Sequence, residues 1–146
     1  ELECTVGEEL LRPTRIYVSL VKELLSAELP IRAMVNITSD GFLNLARIEA
    51  PVGFTIEALP APQAIYQLIQ DRGPVSDAEM FRVFNMGVGF CAIVPDDSKV
   101  IASVLRTAEA HDCEAFLLGH TVEDSDRRVL IPQKNLVGKD DRFHDG

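Results

Sequence analysis

Two stretches of this 146-residue chain carry residue types that could hold a ligand. Thr38-Ser39-Asp40-Gly41 places two hydroxyls and a run of backbone N–H groups between an alternating apolar stretch and a short apolar segment. Where such a cluster joins a strand to a helix, hydroxyls and first-turn N–H groups can cradle a phosphate. The same four residues also make an ordinary N-cap, and Asp40 puts a negative charge where the phosphate would sit. The second stretch is Phe81-Arg82-Val83-Phe84-Asn85-Met86-Gly87-Val88-Gly89-Phe90-Cys91-Ala92-Ile93-Val94. From Met86 it reads as a buried strand ended by Pro95, with Asn85, Gly87, Gly89 and Cys91 on one face. Paired glycines on a strand face are kept where a ligand or another backbone comes close, and the pattern leaves both readings open.

Other constellations fall away on spacing. Gly87-Val88-Gly89-Phe90-Cys91-Ala92 formally fits G-x-G-x-x-G/A, but here the glycines lie inside the apolar run rather than between a strand and a helix. His111-Asp112-Cys113 lacks the spacing of a metal site and has no second cluster, so no metal is expected. No Ser/His/Asp or Cys/His set can be placed, and no general base is assigned. Arg15 and Arg82, adjacent to stretches that read as strands, are the better candidates for anion contacts, whereas Arg127-Arg128 reads as a solvated hairpin edge.

The elements that would position these residues follow from punctuation and period. Thr14–Val18 reads as a short strand and 19–27 as a helix. Ile31, Ala33, Val35 and Ile37 alternate as a half-buried strand, and Phe42 to Ile48 follows as a short helix. Phe54–Leu59 is a further strand and Ala64–Ile69 a helix stopped near Gly73-Pro74. Ser76-Asp77-Ala78-Glu79 is a capping-box pattern. Asp96 and Asp97 open a helix with its apolar stripe at Val100, Ile101, Val104, Leu105 and Ala108. Ala115–Val122 and Arg128–Ile131 read as two strands of a terminal hairpin. The fold class expected is α+β, a mixed β-sheet covered by helices. Residues 1–12 read as a polar lead-in, 1–131 as one domain and 132–146 as a flexible tail.

Composition narrows the partners. A net charge of −9 argues against nucleic acid and against an anionic membrane surface, but leaves room for small phosphorylated ligands held by backbone N–H groups. No apolar run is long enough to span a bilayer, and the N-terminus has no signal-peptide pattern. Three widely spaced cysteines favour a reducing cytoplasm over a disulfide framework. The chain opens Glu-Leu-Glu-Cys without an initiator Met, which reads as an excised domain or a processed product.

Two long motifs carry a family resemblance. Thr5-Val6-Gly7-Glu8-Glu9-Leu10-Leu11-Arg12-Pro13-Thr14-Arg15-Ile16-Tyr17-Val18 and Glu79-Met80-Phe81-Arg82-Val83-Phe84-Asn85-Met86-Gly87-Val88-Gly89-Phe90 resemble the C-terminal domain of phosphoribosylformylglycinamidine cyclo-ligase (AIR synthetase). The resemblance covers about Thr5 to Ile131. It implies a ligase of purine biosynthesis that uses ATP and Mg²⁺ to close formylglycinamidine ribonucleotide to aminoimidazole ribonucleotide, releasing ADP and phosphate. It further implies a cytoplasmic homodimer with the site between two domains, the N-terminal one holding most of the ATP contacts and absent from this chain. The isolated domain is expected to hold no cofactor alone and to be inactive.

On that resemblance the small-molecule nucleotide would meet Thr38, Ser39 and Gly41 at its phosphate, with Asp40 in the same substrate-binding loop, and Asn85, Gly87 and Gly89 as a cleft wall. One departure stands out. The family usually reads His-Ile-Thr-Gly-Gly-Gly where this chain has Asn36-Ile37-Thr38-Ser39-Asp40-Gly41, and Ser-Asp-Gly there is similar to the related formylglycinamide ribonucleotide amidotransferases. The departure motivates a second expectation: a divergent paralogue, either a non-catalytic ligand-binding or interaction module or an ATP-dependent enzyme with another substrate.

Overall fold

A computed structural model describes residues 2–146. In chain order its elements are α1 (Val6–Leu10), α2 (Val18–Ser26), β1 (Ala33–Asn36), the 3-10 segment η1 (Gly41–Arg47), β2 (Val52–Ile56), α3 (Ala64–Arg72) and α4 (Asp77–Val83). There follow β3 (Phe90–Ile93), α5 (Ser98–Ala110), β4 (Gly119–Glu123), β5 (Val129–Ile131), the 3-10 turn η2 (Pro132–Lys134), β6 (Leu136–Lys139) and β7 (Arg142–Asp145). The chain divides into two compact units. The first holds residues up to Pro13, Asn36–Gly89 and Leu118–Gly146; the second holds Thr14–Val35 and Phe90–Leu117.

The first unit is built on a five-stranded sheet in the order β4-β2-β5-β6-β7. β2 runs antiparallel to β4 but parallel to β5, and β6 and β7 continue antiparallel, so the sheet is mixed as the α+β reading expects. Alternation along the strands sends Phe54, Ile56, Val129, Ile131, Leu136 and Phe143 inward, where they meet Phe42, Leu45, Met80 and Phe81. α4 packs on β7 and on η1, and the rings of Phe42 and Phe81 lie 5.7 Å apart. α4 starts where the Ser76 Oγ accepts the Glu79 N–H at 3.3 Å, half of the expected capping box. The Glu79 carboxylate turns instead to Arg82, which donates from Nε and Nη2 at 2.7 Å each.

The second unit packs α2 on α5 around Leu20, Leu24 and Ala108, with Tyr17, Leu29, Ile31, Met34, Val104 and Cys113 closing on them. Asp97 caps α5, its carboxylate accepting from Lys99 N–H at 2.8 Å, as the acidic pair before this helix predicts. β1 pairs with β3, and Tyr17 and Phe90 bring their rings to 5.2 Å.

Several expectations are corrected. The strand expected from Met86 begins only at Phe90, because Asn85 to Val88 is a tight turn: the Val88 N–H reaches the Asn85 C=O at 2.9 Å, and Met86 and Gly87 sit at φ of 48° and 93°. Asn85, Gly87, Gly89 and Cys91 therefore do not share a strand face. Thr14–Val18 is not a strand; Tyr17 is already the N-cap of α2. The lead-in contains α1, closed by a Thr5/Glu8 capping box that is visible in Thr5-Val6-Gly7-Glu8. β4 and β5 are no hairpin, since β2 lies between them. The expected flexible tail 132–146 supplies β6 and β7, anchored by two apolar side chains spaced among polar ones, Leu136 at 3% and Phe143 at 6% exposure.

The last correction is measurable. Phe143→Ala is expected to lower the unfolding free energy of the chain by about 3 kcal/mol, as for other buried Phe truncations. Urea denaturation reads it directly; an unchanged midpoint would return residues 132–146 to the status of a loose tail.

Candidate functional site

The loop Thr38–Gly41 is fixed from inside by Asn44, the buried polar residue of η1 at 1% exposure. Its Oδ1 accepts from the Thr38 backbone N–H at 3.0 Å and from the Thr38 hydroxyl at 3.2 Å, and its Nδ2 donates to the Ser39 carbonyl at 2.7 Å. The Gly41 N–H is taken by the Thr38 carbonyl at 3.0 Å. Three donors that could have met a phosphate are thus already spent. The Ser39 hydroxyl and N–H keep the exposed rim, and Asp40 pairs with Arg47, which neutralises much of the charge that would repel an anion.

Gly41 is in the loop for a backbone reason. It sits at φ 51°, and a Cβ there would come within 2.1 Å of the Phe81 carbonyl oxygen and 2.7 Å of that of Phe84. The loop therefore lies directly against the last turn of α4, whose continuation is the Asn85 turn. A second tie runs from the Ile37 N–H to the Gly89 C=O at 2.9 Å. So the structure brings the two sequence-predicted regions together: Thr38, Ser39, Asp40 and Gly41 on one side, Asn85, Gly87 and Gly89 on the other.

In the second region Asn85 organises the chain. Its Oδ1 accepts from the Gly87 N–H at 3.1 Å, an Asx turn, and from the Tyr66 hydroxyl at 2.8 Å. Tyr66 lies on α3 with its ring 5.4 Å from Phe84. Burial raises the Tyr66 pKa, which keeps the phenol a donor. Gly87 is exposed at φ 93°, and its missing Cβ would make only ordinary contact, 3.4 Å to Pro60 Cγ, so the backbone angle and not space selects glycine there. Tyr66 was not marked by the sequence. Only its spacing in a helix of mixed polarity could have hinted at it, and that does not reach Asn85.

The remaining candidates divide. Arg82 is held by Glu79 and Arg128 by Asp124, the latter at 2.7 Å. His111 meets Glu23 at 2.7 Å and His120 meets Glu57 at 3.3 Å, and no group of three metal-ligating side chains exists among the described residues. Burial pushes the Cys91 thiol up to about 12, so it is no nucleophile at neutral pH. A cleft of about 210 Å³ opens beside Asp40 and Arg47; Arg127 lines it too, but so do Asp126, Asp140 and Asp141, and the net negative lining disfavours phosphate. Asn85, Gly87 and Gly89 are not in that cleft. Outside that cleft, Ser39 is exposed and Asn85 half-buried.

Known proteins share this chain's pattern. Residues 2–131 match the family described as AIR synthase related protein, C-terminal domain. A phosphoribosylformylglycinamidine cyclo-ligase of Methanothermobacter thermautotrophicus is 49% identical over 102 residues, 69% of this chain and 30% of that protein. The protein of the same name from Methanocaldococcus jannaschii is 38% identical over 136 residues, 92% of this chain and 37% of that protein. The chain thus spans about a third of the length of the curated relatives it matches. No helix among the described residues is long and apolar enough to cross a membrane.

The two glycines separate by cause. Gly87→Ala carries only the backbone penalty and is expected to cost about 1 kcal/mol. Gly41→Ala adds the collision with two carbonyls and is expected to cost about 3 kcal/mol. Thermal or urea melts of both variants check the order; equal losses would contradict the close approach at Gly41.

Proposed function

The chain belongs to the AIR synthase related protein C-terminal domain family, and we propose that it is the C-terminal part of an ATP-dependent cyclo-ligase. In this reading the whole protein closes formylglycinamidine ribonucleotide to aminoimidazole ribonucleotide, with ADP and phosphate as the other products. The observation that carries the reading is the similarity to proteins named phosphoribosylformylglycinamidine cyclo-ligase, which extends over 92% of this chain in one of them. Agreement of that extent spans both candidate regions rather than a single motif.

The chain's own part is to present the nucleotide substrate with neutral donors. Thr38, Asp40 and Gly41 shape the first loop, and the Ser39 hydroxyl and N–H face the ligand. Asn85, Gly87 and Gly89 form the second wall, where Gly87 leaves the turn without a side chain. ATP supplies the phosphoryl group that activates the formyl oxygen, with Mg²⁺ at its phosphates. Both are assigned to the N-terminal domain that accompanies this one in the full-length enzyme. A cytoplasmic homodimer completes the reading.

One observation favours a second reading, in which a paralogue acts on another substrate. The loop reads Asn36-Ile37-Thr38-Ser39-Asp40-Gly41, and its Thr38 N–H, Thr38 hydroxyl and Gly41 N–H are occupied within the protein. The test is the full-length natural gene product supplied with formylglycinamidine ribonucleotide, ATP and Mg²⁺. ADP and aminoimidazole ribonucleotide are expected in equal amounts. ATP consumption only with a different acceptor would establish the second reading, and no ATP turnover is expected from the 146-residue chain by itself.

A further inference from the structure

We infer that Asn85 meets the substrate through its side-chain Nδ2, as a donor to an acceptor oxygen of the nucleotide, and that Tyr66 is the residue that positions it. The inference rests on the reading that the Asn85 turn faces the nucleotide, and it adds which atom does the recognising and what orients it.

An amide side chain can be turned by half a revolution at little cost in shape, exchanging acceptor for donor. Here the exchange is blocked by a group with no choice. The Gly87 backbone N–H only donates, and it lies 3.1 Å from the Asn85 amide, so the atom facing it is the oxygen. The Tyr66 hydroxyl, 2.8 Å from the same oxygen, must then be the donor, and its half-buried ring against Phe84 holds it there. Both interactions converge on Oδ1. Nδ2 points the other way and donates to no protein group among the described residues.

The idle donor is not a defect of packing. No buried side-chain nitrogen or oxygen lacks a partner among the described residues, so the unpaired Nδ2 is not sealed from solvent. Asn44 provides the contrast. It spends its oxygen and its nitrogen on the Thr38–Ser39 backbone, as a purely structural amide does. Asn85 spends only its oxygen, and its turn is the one whose glycines leave the approach clear. A turn-forming role alone would be met equally by Asp, which accepts the same two hydrogen bonds and has nothing to donate.

That equivalence supplies the experiment. In the full-length enzyme Asn85→Asp keeps both bonds to Oδ1 and replaces the donor with an acceptor, so the melting temperature is expected to stay within a few degrees. The KM for formylglycinamidine ribonucleotide is expected to rise about 10-fold or more, with kcat changed less. Tyr66→Phe removes one of the two bonds that hold Oδ1, leaving only the Gly87 N–H, and is expected to raise KM a few-fold in the wild-type background. In the Asn85→Asp background Tyr66→Phe should add nothing, because a carboxylate has the same atom at both ends. A KM within twofold of wild type for Asn85→Asp overturns the donor role while the enzyme's activity stands. An equal effect of Tyr66→Phe in both backgrounds overturns the positioning role. A wild-type enzyme without turnover overturns the underlying reading, and this inference with it.

Discussion

The contact between Gly41 and the end of α4 determines more of the first unit than any other. Carbonyl oxygens of Phe81 and Phe84 project into the space where any other residue would carry its Cβ. Because that space is empty, the loop after β1 rests on the last turn of the helix. Phe42 and Phe81 follow on from it and join the core. The Asn85 turn begins one residue after Phe84, so its position is inherited from this contact. Substituting bulk at Gly41 would therefore move a turn 44 residues away in sequence, without touching any residue in it.

Two asparagines then divide the labour that the glycine makes available. Asn44, sealed in η1, ties the first loop to its own helix with three hydrogen bonds, and buried amides so satisfied are rigid. Asn85, half-buried, ties the second turn to α3 through Tyr66. The loop is thereby a floor and the turn a wall. Neither depends on a charged side chain, and the one charged residue of the loop, Asp40, is occupied by Arg47.

Much of this was legible in residue types. The helices announced by Ser76 and Asp97 start where their caps place them, since a cap is a local interaction between neighbours in sequence. The two candidate regions were also visible, because glycines, hydroxyls and an amide in apolar surroundings are costly unless used. What periodicity could not see was tertiary. Met86-Gly87-Val88-Gly89 has the composition of a strand, yet an Asx turn at Asn85 bends it, and apolar content alone does not separate a strand from a buried turn. The place of β2 between β4 and β5 depends on residues 63 to 75 positions apart, beyond any local pattern. Leu136 and Phe143 were hidden by their polar neighbours, because a strand buried on one face needs only one apolar side chain in two to be held.

On the proposed reading, this chain of net charge −9 meets a phosphorylated nucleotide against its own field. The structure limits how. Arg82, Arg128 and Arg47 are each engaged by a carboxylate of the first unit, and the cleft beside Arg47 is lined by further aspartates. Engaged guanidiniums contribute little net positive charge at a distance. What the two candidate regions themselves can offer an anion is dipolar: the Ser39 hydroxyl and the amide of Asn85. Dipoles orient a ligand without holding it tightly, whereas cations at the phosphates supply the larger attraction. On the proposed reading, the cation belongs with ATP on the other domain, and this unit sets the geometry of the partner that ATP activates. On that reading an acidic chain can serve a nucleotide enzyme, with selectivity set by where its neutral donors point and affinity supplied by the cation.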